Sequence, residues 1–230
     1  ISHKLREVLE IADTITVLRD GKTVTTLNVE EDKVNEPVLI KHMVGRSIDN
    51  IFPKREKVNI GEEVLRLEDW SAFSYALGRD ILKDVNISVR AGEIVGIAGL
   101  MGSGRTELAK SIFGNPDRYR LSGKVFIRGK EQRFHNPHDA IRSSIAYVTE
   151  DRKGNGLILI DDVKHNISLA NLKEITSSGV INENEEILIA HKYRTELNIK
   201  TPSIQQKVRN LSGGNQQKVS LGKWLFVKPG

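Results

Sequence analysis

The sequence predicts an α/β fold, and three observations carry that expectation. The short apolar run Ile94-Val95-Gly96-Ile97-Ala98 has the composition of a strand buried on both faces. A glycine-rich loop follows it, and Thr106–Phe113 then repeats its apolar residues at helical spacing. Upstream, alternating segments separated by turn residues read as antiparallel strands.

Taken in order, Lys4–Ala12 carries Leu5, Val8, Leu9 and Ala12 at helical spacing. Thr14–Arg19 alternates, Asp20-Gly21 supplies a two-residue turn, and Lys22–Leu27 returns as the second strand of a hairpin. Pro37 can open a short helix with Leu39, Ile40, Met43 and Val44, which Gly45 can close. Residues 46–62 are charged, contain Pro53 and Gly61, and lack a period, which reads as a linker between a segment 1–45 and a domain 63–230. Beyond it, Val64–Glu68 and Val85–Val89 alternate as strands, and Glu93–Ala98 is a buried strand. Lys124–Arg128 and Glu131–Phe134 flank Gly129-Lys130 as a further hairpin. Ile145–Val148 reads as another buried strand, Asn182–Leu197 as a charged helix, and Ser212 as the N-cap of a final helix through Val227.

Composition narrows the function classes. The chain has 230 residues, 38% of them hydrophobic and 28% charged, which excludes collagen, low-complexity and coiled-coil classes. With no cysteine, disulfides and thiolate metal sites are excluded. No run of about 18 apolar residues is present to span a bilayer. The opening Ile1-Ser2-His3-Lys4 has neither charged n-region nor apolar h-region, so no secretory signal is expected there. The net charge of +5 is interspersed, with only short runs such as Lys54-Arg55-Glu56-Lys57. Aromatic and basic residues are not interleaved and no helix carries a one-sided basic stripe, so nucleic acid is not an expected partner.

The strongest chemical signal is Gly99-Leu100-Met101-Gly102-Ser103-Gly104-Arg105-Thr106. It fits G-x-x-x-x-G-K-[ST] except that Arg105 replaces lysine, and it lies between a strand pattern and a helix pattern. Gly99, Gly102 and Gly104, with Ser103, let the backbone aim amide groups at phosphate oxygens, and the helix that follows presents its positive end. Thr106 can place a hydroxyl on Mg2+. Arginine is a longer planar fork than lysine, so nucleotide binding is expected to survive and hydrolysis at this site to be weak. A second signal, Asn210-Leu211-Ser212-Gly213-Gly214-Asn215-Gln216-Gln217, sets Ser212, Gly213 and Gly214 at a helix start, where hydroxyl, amides and dipole can face one anion.

These two motifs, with Tyr147-Val148-Thr149-Glu150-Asp151-Arg152-Lys153 between them, resemble the nucleotide-binding subunits of ABC transporters. The likeness is to the second cassette of tandem subunits in bacterial importers of monosaccharides of the ribose, galactose and xylose type. Arginine in the phosphate loop is typical of that second cassette. The resemblance implies a P-loop NTPase, α/β, with a hairpin-rich N-terminal part of the cassette. It implies ATP and Mg2+ as cofactors, and a location on the cytoplasmic face of the inner membrane. The partners it implies are transmembrane permease subunits, a first-cassette half or partner cassette and, indirectly, a periplasmic sugar-binding protein.

By the same resemblance, Ile1-Ser2-His3-Lys4 matches the switch-histidine loop that ends a first cassette, with His3 acting on γ-phosphate and attacking water. Thr14–Leu27 matches the hairpin after it. Glu150 stands where the family usually has the Q-loop glutamine, with a catalytic and Mg2+-binding role, in a polar segment Thr149–Gly156 suited to a moving loop. That loop and Leu157–Leu172 would touch the permease. Tyr75, 24 residues before Gly99, stands about where the family stacks an aromatic ring on adenine, with Phe73 and Trp70 competing for the role. In the family the Walker B strand, with its aspartate and glutamate, follows at about Trp224–Gly230. The resemblance therefore implies a middle piece of a tandem subunit, hydrolytically incompetent alone and with an unpaired sheet edge that favours aggregation. A nucleotide-gated clamp without turnover, and a soluble ABC protein acting on ribosomes or nucleic acid, are the alternative functions.

Overall fold

The structure, a computed structural model, describes residues 4–19, 21–44 and 58–230. His3, Asp20, Gly45, Pro53 and most of the 46–62 linker lie outside the described residues. The chain divides into two compact units between Val58 and Asn59.

In the first unit, α1 (Leu5–Ile11) leads into β1 (Thr14–Arg19) and β2 (Lys22–Asn28), and α2 (Glu36–Val44) follows. The strands pair antiparallel, with a register shift between Val17 and Leu18. Alternation turns Ile15 and Val17 inward, where they and Leu39 are buried. Thr16 on the other face meets Thr26, hydroxyl to hydroxyl at 3.0 Å. Helix α2 begins one residue before Pro37, and the Asn35 side chain, accepting from the Val38 amide at 3.1 Å, satisfies its first turn.

The second unit holds a four-stranded antiparallel sheet in the order β4-β3-β5-β6, from β3 (Glu63–Ser74), β4 (Arg79–Arg90), β5 (Arg120–Ile127) and β6 (Lys130–Gln132). The hairpin between the last two turns one residue earlier than the sequence suggests, through Arg128 and Gly129, both at positive φ. Midway along β3 the register slips, with Asp69 at φ 48°. Gly123 lies so close beneath that a Cβ there would fall 2.4 Å from the Asp69 carbonyl oxygen. One face of the sheet buries Leu67, Trp70, Ala72, Leu82 and Val125 against Leu108 of α3 (Arg105–Ile112). Trp70 Nε1 donates to Ser111 Oγ at 2.9 Å, tying α3 to the sheet. The phosphate loop is thereby fixed at its helical end, because it runs directly into α3.

After α4 (Pro137–Arg142), capped by Asn136, the chain builds a helical group. It comprises α5 (Val163–Ser168), a 3-10 turn Leu169–Ile175, the small hairpin β7 (Thr176–Ser177) and β8 (Val180–Ile181), α6 (Glu183–Glu196) and α7 (Gly213–Phe226). Its core is Val163, Ile167, Ile175, Tyr193, Val208, Val219 and Phe226. Gly222 admits α7 close to α6 and α5, since a Cβ there would already sit 3.3–3.6 Å from Leu197, Tyr193 and Ile167. Buried Glu186 is satisfied by Lys164 at 2.7 Å and Ser168 at 2.5 Å.

Two expected strands are absent. Glu93–Ala98 and Ile145–Val148 have no ladder partner among the described residues, and both run as irregular chain. Ile94 is 76% exposed and Ile97 51%, instead of buried on two faces. An apolar run becomes a strand only when a neighbour takes up its amides and carbonyls. Ile145, Ala146 and Tyr147 still pack, around Phe113, Ala140 and Trp224.

Candidate functional site

The loop before α3 takes the conformation its glycines allow. Gly102 and Gly104 have φ of 81° and 89°, in the left-handed region. Gly104 is buried against β4, where a Cβ would lie 2.9 Å from the Ile81 carbonyl oxygen and 3.0 Å from Leu82. At Gly99 a Cβ would strike Ser103 Oγ at 2.4 Å. The Ser103 amide donates to the Leu100 carbonyl at 3.1 Å, closing a turn that leaves Met101 99% exposed. No side chain caps α3, so the amides of its first turn are left to an outside acceptor. Arg105 is exposed at this end, its Cδ turned back to 3.6 Å from the Cβ position of Gly99.

Thr106 faces a second segment. Its Oγ1 donates to Glu150 Oε2 at 3.4 Å across 44 residues of sequence. Around the pair lies an open cleft of about 310 Å³, lined also by Lys110, Thr149, Asp151 and Asn155. A hydroxyl and a carboxylate side by side are hard oxygen donors suited to Mg2+, and the uncapped helix end suits a phosphate. The residues present thus fit a magnesium nucleotide. Within Thr149–Gly156 the first three residues are irregular, and Asp151, whose Oδ1 accepts from the Gly154 amide at 3.0 Å, heads the π-helical stretch Arg152–Gly156.

The aromatic candidates separate cleanly. Trp70 is core, and Phe73 stacks beneath the Arg120 guanidinium at 4.9 Å. Tyr75, on the turn between β3 and β4, is 69% exposed. Ser74 and Leu77, on either side of it, line a small cleft with Gly102 and Gly104. The turn therefore lies beside the phosphate loop.

Ser212, Gly213 and Gly214 are all exposed at the start of α7. Ser212 is the N-cap residue by backbone, but its side chain does not cap. Its Oγ accepts from Asn215 Nδ2 at 2.9 Å, because the nearby amide side chain competes for it. The helix start is thus open to an outside anion. His3 lies outside the described residues.

Three residues that the motif reading passed over join these parts. Arg152 Nε donates to Gln216 Oε1 at 3.3 Å, and Gln216 Nε2 donates to the Val208 carbonyl at 3.1 Å. Lys223, 6% exposed, donates to the Gly156 carbonyl at 2.5 Å and lies 4.9 Å from the Trp224 ring. Burial depresses the Lys223 ammonium below its usual value. Arg152 and Gln216 each lie within one of the motifs, but nothing in the spacing pairs them or marks Lys223 as a companion.

An uncapped helix start after a glycine loop, a hydroxyl–carboxylate pair beside it and a second uncapped helix start on α7 are the features expected of an ATP-binding cassette. The chain belongs to the ABC transporter family, whose model matches residues 82–230. Among solved structures, a nucleotide-free ATP-binding cassette from an ABC transporter superposes with TM-score 0.58 at 23% identity, over 73% of this chain and 66% of that one. A dimeric cassette in a post-hydrolysis state with ADP and Pi gives 0.57 at 24%, over 72% and 70%. The chain is 49% identical to the L-arabinose transport ATP-binding protein AraG of Geobacillus stearothermophilus, over all of this chain and 45% of that protein. It is 48% identical to the xylose import ATP-binding protein XylG of Thermoanaerobacter pseudethanolicus, with the same coverage. With the ribose import ATP-binding protein RbsA 3 of Rubrobacter xylanophilus it shares 48%, over 99% of this chain and 43% of that protein. The chain thus spans a little under half the length of these relatives. Among the described residues, no helix is long and apolar enough to cross a membrane.

Proposed function

We propose that the chain forms the tail of one nucleotide-binding cassette and most of a second, within the subunit that energises a sugar importer. Residues 1–45 belong to the first, 46–62 link them, and 63–230 belong to the second. The observation that carries this reading is the meeting of Thr106 with Glu150 at 3.4 Å beside an uncapped glycine loop. Relatives whose names specify arabinose, xylose and ribose support a monosaccharide as the cargo class.

In this reading the amides of Gly99–Thr106 bind the triphosphate of ATP, and Tyr75 covers its base. Thr106 and Glu150 hold Mg2+, which neutralises phosphate charge. Two cassettes pack head to tail, so Ser212, Gly213 and Gly214 grip the nucleotide held by the other cassette, on which His3 orients water. Both sites favour the closed pair of cassettes at the cytoplasmic face of the inner membrane, and transmembrane permease subunits convert closure into alternating access. The partner site, served by Ser212–Gly214 and His3, is the hydrolytic one. The Arg105 site is degenerate, since a longer, planar guanidinium does not fill the role of lysine's compact ammonium at β- and γ-phosphate identically. Arg105 also favours a second reading, a nucleotide-gated clamp that binds ATP without turnover.

Nucleotide binding and phosphate release by the complete polypeptide, with and without Arg105→Lys, test both. The importer reading expects ATP hydrolysis in the native protein, faster in R105K. Tight binding with no phosphate release favours the clamp. Loss of turnover in R105K makes the arginine the working residue and ends the degenerate-site reading.

A further inference from the structure

Glu150 and Gly213 belong to opposite sites in the proposed cassette pair: the first to the nucleotide on Gly99–Thr106, the second to the nucleotide held by the partner. In this chain they are joined by a short run of direct contacts. The Glu150 carbonyl accepts from the Arg152 amide at 3.2 Å. The Arg152 side chain then crosses to α7, where its Nε meets Gln216 Oε1 at 3.3 Å. Its Nη2 lies 2.8 Å from the position a Cβ would take on Gly213, and its Cζ 3.6 Å from it.

Gln216 is no loose acceptor. It is 5% exposed, its amide group is held by the Val208 carbonyl, and its backbone N–H donates to Ser212 at 2.9 Å. The far end of the same turn is pinned as well, by Lys223 on the Gly156 carbonyl at 2.5 Å. The segment Arg152–Gly156 is therefore fastened to α7 at two points, Arg152 to its first turn through Gln216 and Gly156 to its last turn through Lys223. A cation at the amino end of a helix opposes the helix dipole, so Arg152 is not drawn there by α7 itself. An anion on Ser212–Gly214 relieves that opposition.

From this geometry we propose that Arg152 is a positioning residue that sets the Ser212–Gly214 turn from the loop carrying Glu150, coupling the two nucleotide sites through one cassette. The inference rests on the cassette reading above and adds to it a route by which the Arg105 site controls hydrolysis at the other. Arginine is required because a fork can hold Gln216 through Nε while lying over the Gly213 backbone, which a lysine ammonium does by one contact only.

The test uses the complete polypeptide. Mg2+-ATP affinity at Gly99–Thr106 is read by displacement of a fluorescent ATP analogue, and kcat and KM by phosphate release. Arg152→Met keeps length and apolar packing but removes the donor. It is expected to leave that affinity within about twofold while lowering kcat about tenfold, which is about 1.4 kcal/mol of barrier. Gln216→Met should do the same, and the double variant should be no slower than either single one. Arg152→Lys should recover part of kcat, and it carries the comparison if R152M melts early. Wild-type kcat in R152M, or losses that multiply in the double variant, overturn the proposal. Failure of the unaltered protein to bind Mg2+-ATP overturns the cassette reading itself, and this inference with it.

Discussion

Thr106 Oγ1 lies 3.4 Å from Glu150 Oε2, so the end of the phosphate loop and a segment 44 residues later present two oxygen donors to one point. Carboxylate adds charge where a carboxamide adds only a carbonyl dipole. Glu150→Gln should keep Mg2+-dependent nucleotide binding and weaken its dependence on Mg2+, whereas Thr106→Val should lower affinity in Mg2+ by about tenfold, the scale of one lost contact to a charged group. Titration with and without EDTA checks both, and equal affinity of T106V and native protein in Mg2+ would remove Thr106 from the metal.

Gly102 and Gly104 share a left-handed backbone but differ in surroundings. A Cβ on Gly102 meets nothing within 4 Å, while one on Gly104 meets the Ile81 carbonyl at 2.9 Å. Gly102→Ala should cost about 1 kcal/mol, the backbone penalty alone. Gly104→Ala should cost about 2–4 kcal/mol and displace the loop from β4. Denaturant melts rank the two, and equal losses would mean that contact with β4 does not shape the loop.

Tyr75 and Trp70 should part company under mutation. Tyr75→Ala removes an exposed ring and should leave stability unchanged while lowering ATP affinity about tenfold, as loss of one stacked base does. Trp70→Ala empties the sheet core and strips Ser111 of its donor, costing about 3–5 kcal/mol. Calorimetry of binding and of unfolding distinguishes them.

Glu186 and Lys164 form an ion pair whose side chains are 3% and 13% exposed. Burial pushes the Glu186 carboxyl up, but hydrogen bonds from Lys164 and Ser168 outweigh it and hold the group below its usual 4.5. A depressed folded value means the stabilisation is present above the unfolded value and is lost as pH falls through the folded one. Stability should therefore hold above about pH 4.5 and drop below it. Glu186→Gln should flatten that acid limb and, by leaving Lys164 buried without its partner, cost about 3–5 kcal/mol near neutral pH. Melting temperatures across pH 3–7 give the comparison, and parallel curves for the two proteins would refute it.

Local sequence determined the pieces that local physics controls. Hairpin alternation at Thr14–Arg19, the parts Val64–Glu68 and Val85–Val89 of the longer strands β3 and β4, and the helices at Arg105 and Gly213 follow from side-chain period and from turn and helix-start residues. The phosphate loop was legible for the same reason, since positive φ needs glycine wherever the chain folds. Tertiary structure decided what depends on a neighbour. The apolar runs Glu93–Ala98 and Ile145–Val148 have strand composition, yet without an adjacent ladder they stay irregular. Ser212 has the right residue type to cap, yet its hydroxyl is taken by Asn215. Arg152, Gln216 and Lys223 acquire their meaning only when residues more than sixty positions apart are brought together. A sequence records the chemistry each residue can offer, but a hydrogen bond needs a partner in space, and only the fold supplies one.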